Sequence, residues 1–103
     1  MIFQDVAVVG MHFREREGVS AKAIVAGFMP PVVLQLVREP ENQYDSFAIK
    51  VYYKEQHIGY IEASKAMYIA PHMDDGIELL CVVDSLEQRK NNLHPICTIS
   101  DGS

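Results

Sequence analysis

Short apolar runs rich in β-branched residues, each ended by glycine, proline or a polar cluster, set the rhythm of this chain and predict strands more than helices. Phe3 to Val9 reads as a first strand that stops at Gly10, with an exit through Met11, His12 and Phe13. The charged run Arg14 to Glu17 and Gly18 predict a turn. Ser20 then stands where a cap belongs, ahead of Ala21, Ala23 and Ala26 as helix formers and Ile24, Val25 and Phe28 as an apolar face. Gly27 and the Pro30-Pro31 pair place the end of that helix near residue 28.

Val32 to Val37, Phe47 to Tyr53 and Gln56 to Ile61 predict three more strands, the last two joined as a hairpin by the polar turn at Lys54 and Glu55. Glu62 to Ala70 has helical composition, and Pro71 is expected to stop it. Ile77 to Leu86 and Pro95 to Ser100 complete the set as strands, with Glu87 to Asn92 between them as a polar loop. The expected fold class is mainly β with two short α-helices, six short strands forming a small closed or half-closed barrel.

Composition bounds what such a barrel can do. With 103 residues, 49% of them apolar, the chain is expected to be a single domain over 1–103 with its own core. The net charge is −5, with five Lys/Arg against six Asp/Glu in residues 1–53 and four against eight in residues 54–103. A protein that coats duplex DNA through many phosphate contacts is normally basic, so any nucleic-acid site here must be small and local. Cys81 and Cys97 lie within strand-like runs and are read as reduced, buried thiols. The chain opens with no basic-then-apolar signal, and no apolar run approaches the ~20 residues that span a bilayer, so the expectation is a cytoplasmic protein without a membrane partner.

The segment Arg38 to Val51 holds the densest chemistry. It runs from a strand end through a polar loop into the next strand and gathers Asn42, Tyr44 and Asp45 at the loop tip. Loops held by rigid strands are where binding residues concentrate. Tyr60 is a further candidate, because it follows Gly59 in a strand and the glycine leaves room for a backbone or a ligand to approach.

These residues carry a resemblance to the HIRAN domain. It rests on Val8-Val9-Gly10 followed by Phe13-Arg14, on Leu36-Val37-Arg38-Glu39-Pro40 with Asn42, Tyr44, Asp45, Ala48, Ile49 and Val51, and on Ile58-Gly59-Tyr60-Ile61 leading into a helix. The resemblance implies a six-stranded barrel related to the oligonucleotide-binding fold, found fused to helicase-type chromatin remodellers and in stand-alone bacterial forms. It also implies binding of single-stranded DNA by its 3′-hydroxyl end, with helicase or nuclease domains as partners in cis or trans. On the matching positions Phe13 and Tyr44 fall where the family stacks bases, and Asp45 falls on the carboxylate beside the terminal sugar. Three positions depart from the family pattern. His12 replaces a basic residue before the first aromatic, Gln43 replaces a proline, and Ala63 replaces a lysine, leaving Lys65 as the nearest cation.

Elementary chemistry gives these assignments a rationale and a set of competitors. A base stacked on an aromatic side chain is worth about 1–3 kcal/mol, so Phe13 and Tyr44 suffice for a site of two nucleotides. Either ring is alternatively part of the packing. A carboxylate such as Asp45 suits a hydroxyl and repels phosphate, although it is equally able to cap its own turn through the amides of Ser46 and Phe47. Arg14 is the preferred phosphate contact, with His12 beside the stacking ring, while Arg38 and Lys50 are expected to pair with Glu39 or Glu41. Asn42 is expected mainly to shape the loop. Tyr52, Tyr53 and Tyr68 read as packing, Met11, Met29, Met67 and Met73 as core or its margins, and His57, His72 and His94 as surface or satisfied histidines.

No catalytic residue, metal ligand or cofactor is assigned. Two readings remain beside the DNA-end reader: a protein-interaction module on the same barrel, and a metal-dependent nuclease built from Glu39, Glu41, Asp45 and Lys50.

Overall fold

The computed structural model describes residues 1–11 and 20–102. The predicted exit through His12 and Phe13 and the turn from Arg14 to Gly18 lie outside the described residues. In chain order the elements are β1 (Ile2–Val9), α1 (Ala21–Ala26), β2 (Val32–Arg38), β3 (Ile49–Tyr53), β4 (Gln56–Ile61), α2 (Ala63–Asp74), β5 (Leu80–Arg89) and β6 (Asn92–Ser100). The six strands close into an antiparallel barrel in the order β1-β4-β3-β2-β5-β6, with β6 returning to β1. Closure removes the free edges that an open sheet would expose.

Alternation along the strands fills the barrel. Val6, Val8, Leu34, Ile49, Val51, Ile58, Cys81, Val83, Cys97 and Ile99 are buried in one cluster with Ala21 and Val25 of α1, Phe28 just beyond its end, and Ala66, Ile69 and Ala70 of α2. Both cysteines are free and buried. The Cys97 side chain and burial together push the Cys81 thiol far above the usual thiol range, so it stays protonated and unreactive at neutral pH. Asp5, at φ 56°, marks a bulge where the β1–β6 register shifts between Phe3 and Val6.

The weakest seam of the barrel is β1–β4, where only Val8↔Ile61 and Val9↔Tyr60 are in register. Glu62 extends it by other means. Its amide donates to the Ala7 carbonyl at 3.0 Å, and its carboxylate Oε2 accepts from the Ala7 amide at 2.6 Å. The side chain of Glu62, at the N-cap of α2, is therefore spent on β1 and makes no capping bond. Ala7 is fully buried, so Glu62→Ala strands its amide and is expected to lower stability by about 1–3 kcal/mol in urea denaturation. Glu62→Gln, which keeps an acceptor, is expected to recover most of the loss.

Four expectations from the sequence need correction. Pro71 does not stop α2, which runs on to Asp74. The bond lost at Pro71 would have gone to Met67, an exposed residue where water can replace it. The stop is Gly76, at φ 85°: its amide bonds the Met73 carbonyl at 3.0 Å and the Ile77 amide bonds the His72 carbonyl at 3.1 Å, the Schellman arrangement. Second, Glu87 to Asn92 is not a loop. β5 and β6 continue in register to Arg89↔Asn92 around a two-residue turn that Lys90 opens at φ 53°. Third, Ser20 occupies the cap position of α1 without a side-chain bond. Fourth, Met29 is 85% exposed, and Met67 and Tyr68 are exposed as well, rather than packed.

Candidate functional site

The register of the sheet explains why distant parts of the sequence meet beside the loop tip. Val9 pairs with Tyr60, Tyr60 with Lys50, and Lys50 with Val37, one row crossing four strands. The end of β1, where the chain leaves toward His12, Phe13 and Arg14, is thereby on the same sheet as the base of the loop between β2 and β3. Those three residues lie outside the described part, so the geometry of the site is that of the loop and its supports.

The loop closes on itself through its backbone. Glu39 donates its amide to the Ala48 carbonyl at 3.0 Å, Asn42 to Glu39 at 3.1 Å, and Ala48 to Asp45 at 3.1 Å. Asn42 then fixes the tip. Its side-chain Oδ1 accepts from the amides of Tyr44 at 2.9 Å and Asp45 at 3.0 Å, the Asx pattern that stabilises a turn. Asp45 Oδ1 accepts from the Phe47 amide at 2.9 Å. The Ser46 amide makes no such bond with Asp45. With the backbone tied down in this way, the ring of Tyr44 stands out into solvent at 89% exposure.

Two residues of the loop base are more important than the sequence indicated. Arg38 donates from Nη1 to the Ala48 carbonyl at 2.6 Å and from Nη2 to the Ser46 carbonyl at 2.9 Å, and its Nε meets Asp74 Oδ1 at 2.8 Å. The guanidinium thus straps the loop to the end of α2. Its expected partners were Glu39 and Glu41, and Asp74, far along the chain, takes that place. Glu39 is the second hub: Oε1 accepts from Asn42 Nδ2 at 2.6 Å and from the Tyr60 hydroxyl at 3.1 Å, while Oε2 pairs with Lys50 Nζ at 3.0 Å. Lys50 does pair with Glu39, as expected.

The aromatic residues of β3 and β4 pack alongside. His57 stacks on Tyr52 and meets Tyr60 edge-on, each with ring centroids 5.1 Å apart, and its Nε2 lies 2.9 Å from the Gly59 carbonyl. His94 Nδ1 is likewise 2.9 Å from the Val8 carbonyl, and His72 packs against Phe3. Gly59 provides space for a backbone: a Cβ there would stand well inside contact distance of the Val9 carbonyl oxygen. Among the described residues, no group of three His, Cys, Asp or Glu side chains is placed to hold a metal ion. No described helix is long and apolar enough to cross a membrane.

The charge around the tip is acidic. The loop and its supports carry Glu39, Glu41, Asp45 and Asp74 against Arg38 and Lys50, and the two cations are engaged by Asp74 and Glu39. Burial alone would raise the Glu39 carboxyl above its ordinary value, but the bonds from Asn42, Lys50 and Tyr60 outweigh it and hold it below. The Arg38 guanidinium holds Asp74 down in the same way. Both groups contribute stability as anions, present above their unfolded values and lost as pH falls through the lower folded ones. The protection of the Tyr44 and Asp45 amides is therefore expected to be flat from about pH 7 to pH 5. It should decline below the ordinary glutamate value of 4.5, as followed by amide exchange.

The family model of the HIRAN domain matches residues 2–100. No curated protein gives a significant match. Among solved structures, a protein from Lactobacillus plantarum superposes with a TM-score of 0.74 at 29% identity, covering 96% of this chain and 93% of that one. The HIRAN domain of human HLTF superposes with a TM-score of 0.69 at 21% identity, over 95% of this chain and 72% of that one, a likeness of fold. With the family model spanning nearly the whole barrel and the strand order and loop already in place, the chain belongs to the HIRAN domain family.

Proposed function

We propose that this chain is a nucleic-acid-binding module that reads the 3′-hydroxyl end of single-stranded DNA. The observation that carries the reading is the solvent-facing ring of Tyr44 on a turn fixed by Asn42, with the Asp45 carboxylate beside it. The ring offers a face to a terminal base. Asp45 uses Oδ1 for its own turn, leaving Oδ2 to accept from a sugar hydroxyl. Phe13 is assigned a second stacking surface, Arg14 a phosphate contact and His12 a further contact to the strand. Tyr60, whose hydroxyl donates to Glu39, supports the base of the site. The module binds and does not cut, and its role is to direct a helicase or nuclease, in the same chain or another, to a strand end.

A fluorescent oligonucleotide with a 3′-hydroxyl, titrated against the same strand with a 3′-phosphate, tests this directly. The phosphorylated strand is expected to bind about tenfold more weakly or worse, because its charge meets Asp45 and Glu41. Equal affinities remove the end-reading mechanism.

A protein-interaction module is the second reading, favoured by a different surface. Beside β2 an open groove of about 640 Å³ is lined by residues that include Val33, Val37, Ile77 and Leu80, all exposed. Failure to bind either oligonucleotide would move the function to that face.

A further inference from the structure

The loop tip and Lys50 are held by one carboxylate, and its two oxygens divide the work. Glu39 Oε1 receives Asn42 Nδ2 at 2.6 Å and the Tyr60 hydroxyl at 3.1 Å. Oε2 receives Lys50 Nζ at 3.0 Å. Asn42 is the residue whose other side-chain atom bonds the Tyr44 and Asp45 amides. Orientation of that amide group is set from the Glu39 side, since its nitrogen must point at the carboxylate for its oxygen to point at the tip. The Glu39 side chain is 16% exposed and that of Lys50 25%, so the pair is shielded more than a surface ion pair. Arg38, the other cation of the loop base, is bonded through Nε and Nη2 to Asp74.

We propose that Glu39 is the positioning and specificity-determining residue of this site: through Asn42 it fixes the aim of Tyr44 and Asp45, and through Lys50 it keeps a cation from serving as a phosphate contact. The first half stands on the loop geometry alone. The second rests on the reading of the tip as a DNA-end site. Together they describe a site in which affinity depends on geometry at the strand end more than on charge along the backbone.

Two near-isosteric variants separate the two roles. Glu39→Met keeps the shape and removes both acceptors. Hydrogen exchange at the Tyr44 and Asp45 amides is expected to accelerate about tenfold, the effect of losing a hydrogen bond to a charged group, while the Val51 and Ile58 amides in the core stay protected. Glu39→Gln keeps an acceptor for Asn42 and removes the charge. Its tip amides should exchange as in the parent, whereas Lys50, released, should steepen the salt dependence of oligonucleotide binding by about 0.7 in the log–log slope. The preference for a 3′-hydroxyl over a 3′-phosphate should shrink in the same variant.

Unchanged tip exchange in Glu39→Met, with the core intact, overturns the positioning role. An unchanged slope in Glu39→Gln overturns the role through Lys50. If the parent protein binds no oligonucleotide, the DNA-end reading fails, and the Lys50 role fails with it. The positioning role is then still decided by amide exchange, which needs no ligand. Should Glu39→Met lose core protection as well, Tyr60→Phe together with Lys50→Met, which leaves Asn42 as the carboxylate's remaining partner in this network, provides the check. Tip amides protected as in the parent support positioning through Asn42, and loss of their protection overturns it.

Discussion

Gly59→Ala is expected to destabilise the protein by about 3 kcal/mol, at the upper end of overpacking costs, although the change adds a single methyl group. The cause is steric and local to one seam. Gly59 is paired with Val51 in the sheet, and a Cβ at this position would intrude on the Val9 carbonyl oxygen and approach Val8 Cγ1 to 3.2 Å. A backbone oxygen cannot rotate away as a side chain does, so β1 must shift. The β1–β4 seam has only two register pairs and the Glu62 bonds to hold it. Gly76→Ala is the control. It meets nothing within 4 Å, and its cost arises from holding an alanine at φ 85°, about 1–2 kcal/mol. Urea denaturation of the two variants distinguishes the mechanisms. Equal costs would mean that the close approach of β1 and β4 is not tight.

Tyr44→Ala is expected to separate binding from stability. The ring is 89% exposed, so its removal should leave the unfolding midpoint unchanged within experimental scatter. If a terminal base stacks on it, affinity for single-stranded DNA falls by about 1–3 kcal/mol, or roughly 5- to 150-fold. Tyr44→Phe keeps the aromatic face and should retain most of the affinity, which identifies stacking rather than the hydroxyl as the source. An unchanged dissociation constant in Tyr44→Ala would remove Tyr44 from the site.

Much of the fold was legible because local patterns and the barrel agree. The β3–β4 hairpin follows from two apolar runs separated by Lys54 and Glu55, and the structure pairs Tyr53 with Gln56 around that turn. Patterns failed where a polar stretch retained backbone pairing. Glu87 to Asn92 reads as a loop by composition, yet its residues continue the β5–β6 ladder, whose exposed end requires no apolar side chain. Pro71 failed as a stop for the complementary reason. Its missing donor falls at a position that tolerates the loss, while Gly76 supplies the left-handed turn that ends the helix.

The site shows the same division. Sequence by itself determined the family resemblance, the mainly β class and the clustering of Asn42, Tyr44 and Asp45, because these depend on residue type and short spacing. The shaping role of Asn42 was also within reach, since an Asx turn spans only a few residues. Tertiary structure decided how that cluster is held. The strap from Arg38 to Asp74 spans 36 positions and the bond from Tyr60 to Glu39 spans 21, and each depends on strand register and on where α2 ends. Side-chain partners at such separations are set by the closure of the barrel, which brings charges together irrespective of their order in the chain. That closure assigned Lys50 to Glu39 and Arg38 to Asp74, leaving an exposed tyrosine and a carboxylate at the tip.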